Sequence, residues 1–136
     1  MMFTTFLLVM AVLLNHGFAD FLLQNDNMAT RKSKSIYWLT IHVLAYTAGM
    51  IPLAILVWII SGNPLYGLGW LLGNGAAHWM TDYYTSKWTS KLYANKQFYT
   101  PNKYLKFVNF PSFFSVIEMD QCIHYLCLFG SLTILI

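Results

Sequence analysis

The sequence predicts an all-α integral membrane protein: a four-transmembrane-helix bundle forming a single domain over residues 1–136. Three observations predict it. The chain is 57% hydrophobic and only 10% charged, whereas a soluble domain carries about 25% charged residues, so there are too few charges to cover a water-facing surface. Four apolar stretches each reach the ~20 residues needed to span hydrocarbon. The eight Lys and Arg residues all fall in two of the connections between those stretches. This composition excludes a separate soluble domain. The modest net charge of +3 does not suggest nucleic-acid binding.

The first helix is expected over about residues 3–23. It is apolar until His16 and Asp20, then gives way to Gln24-Asn25-Asp26-Asn27. Its start lacks the positive region of a signal peptide, and His16 and Asp20 would flank any cut near Ala19, so it reads as a retained helix. The second helix is expected over about 35–60, kinked at Pro52, with His42 as its only strongly polar side chain. Ser61-Gly62-Asn63-Pro64 is an uncharged turn. The third helix is expected over about 65–96. Its first half is rich in Gly, and its second half carries Lys87, Lys91 and Lys96 among aromatics. That second half should leave the bilayer or lie at its surface, with Tyr83, Tyr84, Trp88, Tyr93 and Phe98 as belt residues. A loop with Pro101 and Pro111 precedes a fourth helix over about 112–136. Cys122 and Cys127 would point about 140° apart on that helix, which argues against a local disulfide.

Arg31, Lys32 and Lys34 lie between helices one and two; Lys87, Lys91, Lys96, Lys103 and Lys106 lie between the membrane parts of helices three and four. The remaining loop and both termini have no Lys or Arg. The positive-inside rule then puts both basic loops in the cytoplasm and both termini outside, in a bacterial inner (cytoplasmic) membrane. Membrane lipids are the expected partners, along with a homo-oligomer or a larger membrane assembly. The basic loops would attract anionic headgroups.

Charged groups in a membrane are costly, about 2.5–3.5 kcal/mol for an Asp at a helix centre on insertion scales. Yet His16/Asp20, His78/Asp82 and Asp120/His124 are spaced four apart inside apolar segments, and His42 joins them. Each such pair lies on one helix face. With the expected topology and ~1.5 Å rise per residue, all seven come to one depth near the cytoplasmic side. Asn74, His78, Asp82 and Ser86 form one row on helix three, and Gly69, Gly73 and Ala77 form a small-residue row expected to admit a neighbouring helix. Helix three is therefore the expected centre of the bundle. Glu118 points about 160° from Asp120 and lies off this face.

Inward-facing His and carboxylates on packed helices are the arrangement by which bundles bind metal. His16, Asp20, His42, His78, Asp82, Asp120 and His124 are the candidate ligands, with Gln24, Asn74 and Gln121 as polar support. Mixed nitrogen and oxygen donors suit Zn, Fe or Mn better than Ca or Mg. Such an ion activates water at neutral pH, and an Asp or His left over, with Asp82 and Asp120 the catalytic candidates, would accept the proton. A purely structural polar network and a proton- or ion-conducting path remain open on the same residues.

The run His16-Gly17-Phe18-Ala19-Asp20-Phe21-Leu22-Leu23-Gln24, then Met28, Lys32, Lys34, and His42 with Tyr46, resembles the start of a family of small bacterial and phage membrane proteins. That family is known as domain of unknown function 3307. His78 and Asp82 match its HxxxD, and Asp120-Gln121-Cys122-Ile123-His124 its DQxxH. The resemblance spans nearly the whole chain apart from the Tyr99 to Pro111 loop, and implies no established activity. More loosely, the pattern is similar to predicted membrane-bound metal-dependent hydrolases with HxxxD on membrane helices.

Three functions are expected to compete. The first is an intramembrane metal-dependent hydrolase acting on a lipid or lipid-linked phosphoester from the cytoplasmic leaflet. The second is a proton- or cation-conducting component. The third is a structural subunit of a larger membrane assembly. The chain has no nucleotide-binding loop, serine or cysteine triad, or haem-attachment motif.

Overall fold

A computed structural model describes residues 2–98 and 111–135, with side chains over residues 6–98 and 111–133. Lys103, Lys106 and Pro101 of the predicted loop lie outside the described residues. The described chain is all helical: α1 (Met2–Gly17), a π-helical turn (Phe18–Leu22), α2 (Asp26–Arg31), α3 (Ile36–Gly49), α4 (Ile51–Ser61), α5 (Pro64–Ala94) and α6 (Phe113–Leu135).

Leu-rich α1 gives way to the π turn, where the Leu23 amide donates to the Phe18 carbonyl five residues back at 3.3 Å. The wider turn buries Ala19 and Asp20 while Phe18, Phe21 and Leu22 stay exposed. Gly49 makes room for it: a Cβ there would lie 2.8 Å from the Ala19 Cβ. The following helix, α2, is short and depends on its cap. Asn25 accepts from the Met28 amide at 3.0 Å, satisfying one of the free amides of a helix start, and Met28 is buried. In this way α2 folds back onto α3 and presents the residue after it, Lys32, to the interior.

The predicted second helix is two helices, α3 and α4, bent by 46°. The bend falls at Met50, and Pro52 sits in the first turn of α4. Pro52 has no amide for the Ala48 carbonyl, so the ladder loosens one turn before the proline itself. Gly62, in the left-handed region at φ 69°, closes α4. Asn63 caps α5 by accepting from the Leu65 amide at 3.0 Å. Among the described residues, no single helix is long and apolar enough to cross a membrane; α3 and α4 reach that length and composition only as a bent pair. Asp82, Lys87 and Lys91 interrupt α5, and Glu118 and Asp120 interrupt α6.

α5 packs against α3, α4 and α6, as expected of a central helix. At one end of the molecule the interior is apolar, with Val12, Leu53, Val57, Trp70, Leu128 and Leu132 in one cluster. The interior polar groups lie toward the other end of α5. The row Asn74, His78, Asp82 and Ser86 is buried throughout. The small-residue row differs from expectation. Gly69 and Gly73 are exposed and a Cβ at either would meet nothing, whereas the close approaches are at Gly67, against the Ala54 carbonyl, and Gly75, against Thr47. Helical geometry explains the difference: Gly69 and Gly73 lie about 140–180° around the helix from His78, and Gly67 lies within about 20° of it.

Gly67→Ala should therefore destabilise the fold by about 1–3 kcal/mol through overpacking against a fixed carbonyl. Gly73→Ala should be neutral or add about 0.5–1 kcal/mol from the helix preference of Ala. Denaturant titration of the two variants checks this; equal effects would contradict the packing described.

Candidate metal centre

Four elements deliver the polar side chains. His16 leaves the end of α1 and Asp20 the π turn; His42 comes from α3, His78 and Asp82 from α5, and Asp120 and His124 from α6. The seven residues predicted from sequence meet in one cluster. All but Asp120 are buried, and the Asp120 side chain is only 13% exposed.

Geometry at the centre is tight. His42 Nε2 lies 3.2 Å from Asp20 Oδ1 and 3.1 Å from Asp82 Oδ2. It also lies 3.2 Å from His78 Nε2 and 3.3 Å from Lys32 Nζ. One ring nitrogen holds either one proton or one lone pair, so it satisfies one of these four neighbours. Four polar atoms crowded about one nitrogen is unusual for hydrogen bonding but ordinary for donors that share an ion.

His78 Nε2 lies 3.4 Å from Asp20 Oδ1. Asp20 Oδ1, His42 Nε2 and His78 Nε2 therefore form a triangle with edges of 3.2, 3.2 and 3.4 Å. Its three corners are about 1.9 Å from their common centre, so an ion slightly above that plane would sit ~2.0–2.1 Å from each, the range for zinc with nitrogen and oxygen donors. Asp20, His42 and His78 form one group that could hold a metal ion, and His78, Asp82 and His124 form another. The second group is wider: His78 Nε2 is 3.7 Å from Asp82 Oδ2, and His124 Nε2 is 3.4 Å from Asp82 Oδ1. His78 belongs to both, and its one Nε2 lone pair serves one ion at a time.

His16 and Asp120 belong to neither group and lie at its margin. His16 Nε2 is 3.1 Å from Gln121 Oε1 and 3.9 Å from Asp20 Oδ2. The Gln121 amide donates to Asp20 at 3.1 Å and to Asp120 at 3.2 Å, tying the two carboxylates together. Asp120 also accepts from the Thr85 hydroxyl at 2.6 Å and stands 3.4 Å from His124 Nε2. Asn74 is not in contact with the cluster; it bonds the Trp70 carbonyl and Ser131. Gln24 borders the adjoining cavity, and its Oε1 has no hydrogen-bond partner among the described residues.

Packing fixes the imidazoles. Tyr46 stacks on His78 at 3.8 Å between ring centroids and 9° between planes, and His124 stacks on its other neighbour side at 4.1 Å. His16 meets Tyr46 and Tyr125 edge-on. The buried His124 Nε2 and Ser86 Oγ have no hydrogen-bond partner among the described residues.

Sequence reasoning missed Lys32. Its Nζ donates to Asp82 Oδ2 at 2.7 Å with the Lys side chain 18% exposed, although the sequence marks it for topology and within the family resemblance and not as a residue of the site. The cue lay in Asn25 and Met28: an Asn three residues before a large apolar residue in a polar linker caps a short returning helix. Beside the cluster opens a cavity of about 540 Å³. Asp20, Asp82 and Asp120 line its inner wall, and Lys32, Lys34 and Ser90 are among the residues around it.

The family model described as "Protein of unknown function (DUF3307)" matches residues 8–135. No curated protein and no solved structure matches the chain.

Proposed function

The chain belongs to the DUF3307 family, whose description assigns no activity, and from that premise we propose a function on geometry: a metal-dependent hydrolase of a lipid or lipid-linked phosphoester, embedded in a bacterial inner membrane. The observation that carries it is the Asp20, His42, His78 triangle, whose Asp20 also lines a cavity together with Asp82, Asp120, Lys32 and Lys34. Asp20, His42 and His78 hold one ion of Zn, Fe or Mn, with Asp82 and His124 completing its surroundings. When bound, that ion lowers the pKa of a water and polarises a phosphoryl oxygen.

The protein's own groups do the rest. Asp120 lies outside both ligand groups and lines the cavity, held by Thr85 and Gln121, so its carboxylate is placed to take the proton of the attacking water. The water oxygen bonds to phosphorus, the ester P–O bond breaks, and the leaving oxygen takes up the proton that Asp120 accepted from the water. Lys32 and Lys34 neutralise the anionic group held in the cavity.

Four spans with both termini outside and the basic loops inside suit this chemistry, because the cavity lies at the end that carries Lys32 and Lys34. Exposed Phe6, Leu7 and Leu14 on α1, Ile51, Ile55 and Ile59 on α4, and Leu65, Leu68 and Leu72 on α5 support a lipid-facing surface. Soluble monomers rarely expose apolar patches beyond a few hundred Å². A proton path across the membrane fits less well, since the other end of the bundle is filled by Val12, Leu53, Val57 and Leu132.

The test uses the full chain in liposomes of zwitterionic lipid doped with phosphatidic acid, with phosphate release as the readout. Release should require added Zn, Fe or Mn, stop with chelator, and fall at least about a hundredfold in Asp120→Asn, as expected when a general base is lost. Release that ignores chelator would sink the metal mechanism. No release from any phosphoester lipid in the metal-loaded protein would sink the hydrolase.

A further inference from the structure

Lys32 raises a question that the hydrolase reading leaves open. An ammonium 2.7 Å from Asp82 and 3.3 Å from His42 Nε2 points at the same donor atoms that would surround an ion. It reaches them from outside the bundle core, on the residue that caps the C-terminus of a six-residue helix, with Met28 as that helix's buried anchor. Two cations cannot share those donors without strong repulsion. The cavity that Lys32 also borders provides another place for its head within reach of the same backbone.

We infer that Lys32 is a tethered cation that neutralises the metal-free centre and that metal entry displaces it into the cavity, where it receives a phosphoryl oxyanion. The inference rests on the metal reading of the centre and adds the group that orders the two binding events. Three observations carry it. Asp82 is buried and close to His42, His78 and His124, so without an ion it needs a positive partner, and Lys32 is the nearest. Lys32 Nζ stands 3.3 Å from His42 Nε2, the atom whose lone pair a metal would take. Gln24, Ser86 and Lys34 also line the cavity, so a displaced ammonium has side-chain oxygens within the same lining and an incoming anion has a second ammonium. Metal and anion binding then become coupled: the ion releases the lysine, and the released lysine helps bind the anion. Such coupling is reciprocal.

The experiment compares wild type, Lys32→Met and Lys32→Arg as full chains in detergent micelles. Zinc and manganese affinities are measured by chelator competition, and inorganic phosphate binding is measured with and without the ion. Lys32→Met keeps the length and apolar stem of the side chain without its charge. It should bind the ion at least tenfold tighter, which is 1.4 kcal/mol, and its metal-loaded form should bind phosphate at least tenfold more weakly than wild type. Lys32→Arg should keep phosphate binding. Phosphatidic acid in nanodiscs, compared with free phosphate, tells a lipid headgroup from a free anion as the natural source.

A merely structural lysine would give a different pattern: Lys32→Met would leave metal affinity the same or lower it, and would leave phosphate binding by the metal-loaded form unchanged. That result, with metal bound normally by wild type, would overturn the inference alone. Absence of metal from wild type would overturn both it and the hydrolase.

Discussion

His78→Ala is expected to weaken divalent-metal binding by more than about a hundredfold, since losing even an outer hydrogen-bond partner of a ligand costs about 10–100-fold. His78 is the residue common to both groups that could hold an ion, and its ring is fixed between Tyr46 and His124. His16→Ala is the control. His16 lies at the margin, bonded to Gln121, and belongs to neither group, so its loss should cost no more than the about 10–100-fold of an outer partner, and less than the loss at His78. Competition with a chelating dye measures both. Equal losses, or a larger loss for His16, would place the ion elsewhere in the cluster. Because metal ligands must be deprotonated to bind, affinity should fall as pH is lowered.

Asp82→Asn should be the most destabilising single change at the site in the metal-free protein, by about 3–5 kcal/mol, the cost of leaving one partner of a buried ion pair alone. Asp82 is 2.7 Å from Lys32, 3.1 Å from His42 and 3.4 Å from His124. Once it is neutral, the Lys32 ammonium loses its nearest counter-charge. Lys32→Met in the same chain removes that stranded charge, so the double variant should recover a substantial part of the loss. A double-mutant cycle from unfolding in detergent measures the coupling, which should exceed about 0.5 kcal/mol, as for residues in one polar network. Simple additivity would mean that the 2.7 Å contact contributes nothing to stability.

The convergence of the polar residues was legible in the sequence because it needs only helical spacing and chain direction. Four-residue separations put His16 with Asp20, His78 with Asp82, and Asp120 with His124 on shared faces, and the alternating direction of the helices brings those faces to one level. The centrality of α5 was inferred from its polar row together with the Gly69, Gly73 and Ala77 row, and of these two grounds the polar row is the one that faces the interior. Other features were not legible for identifiable reasons. Lys32 sits after a helix of six residues, too short to show a hydrophobic period, so only its Asn25 cap could mark it. The π turn at Phe18–Leu22 depends on the packing of Ala19 against Gly49, a contact between segments that no local pattern encodes.

The glycine row was misjudged although the information was present. Gly69 and Gly73 match the small-residue spacing of membrane helix contacts, but they face away from His78, and burial follows the polar row. Gly67 and Gly75, eight residues apart on the inner side, make the close approaches. The bend between α3 and α4 was expected at Pro52 and falls at Met50, two residues earlier, between the proline and the Ala48 carbonyl to which it has no amide to donate.

Metal content bears most directly on the whole account. The full chain is purified without chelator, then reloaded with zinc, iron or manganese, and bound ions are counted by elemental analysis while X-ray absorption reads their neighbours. The Asp20, His42, His78 geometry predicts close to one ion per chain with imidazole nitrogen and carboxylate oxygen at about 2.0–2.2 Å. A chain that retains none of the three metals under any loading condition would contradict it.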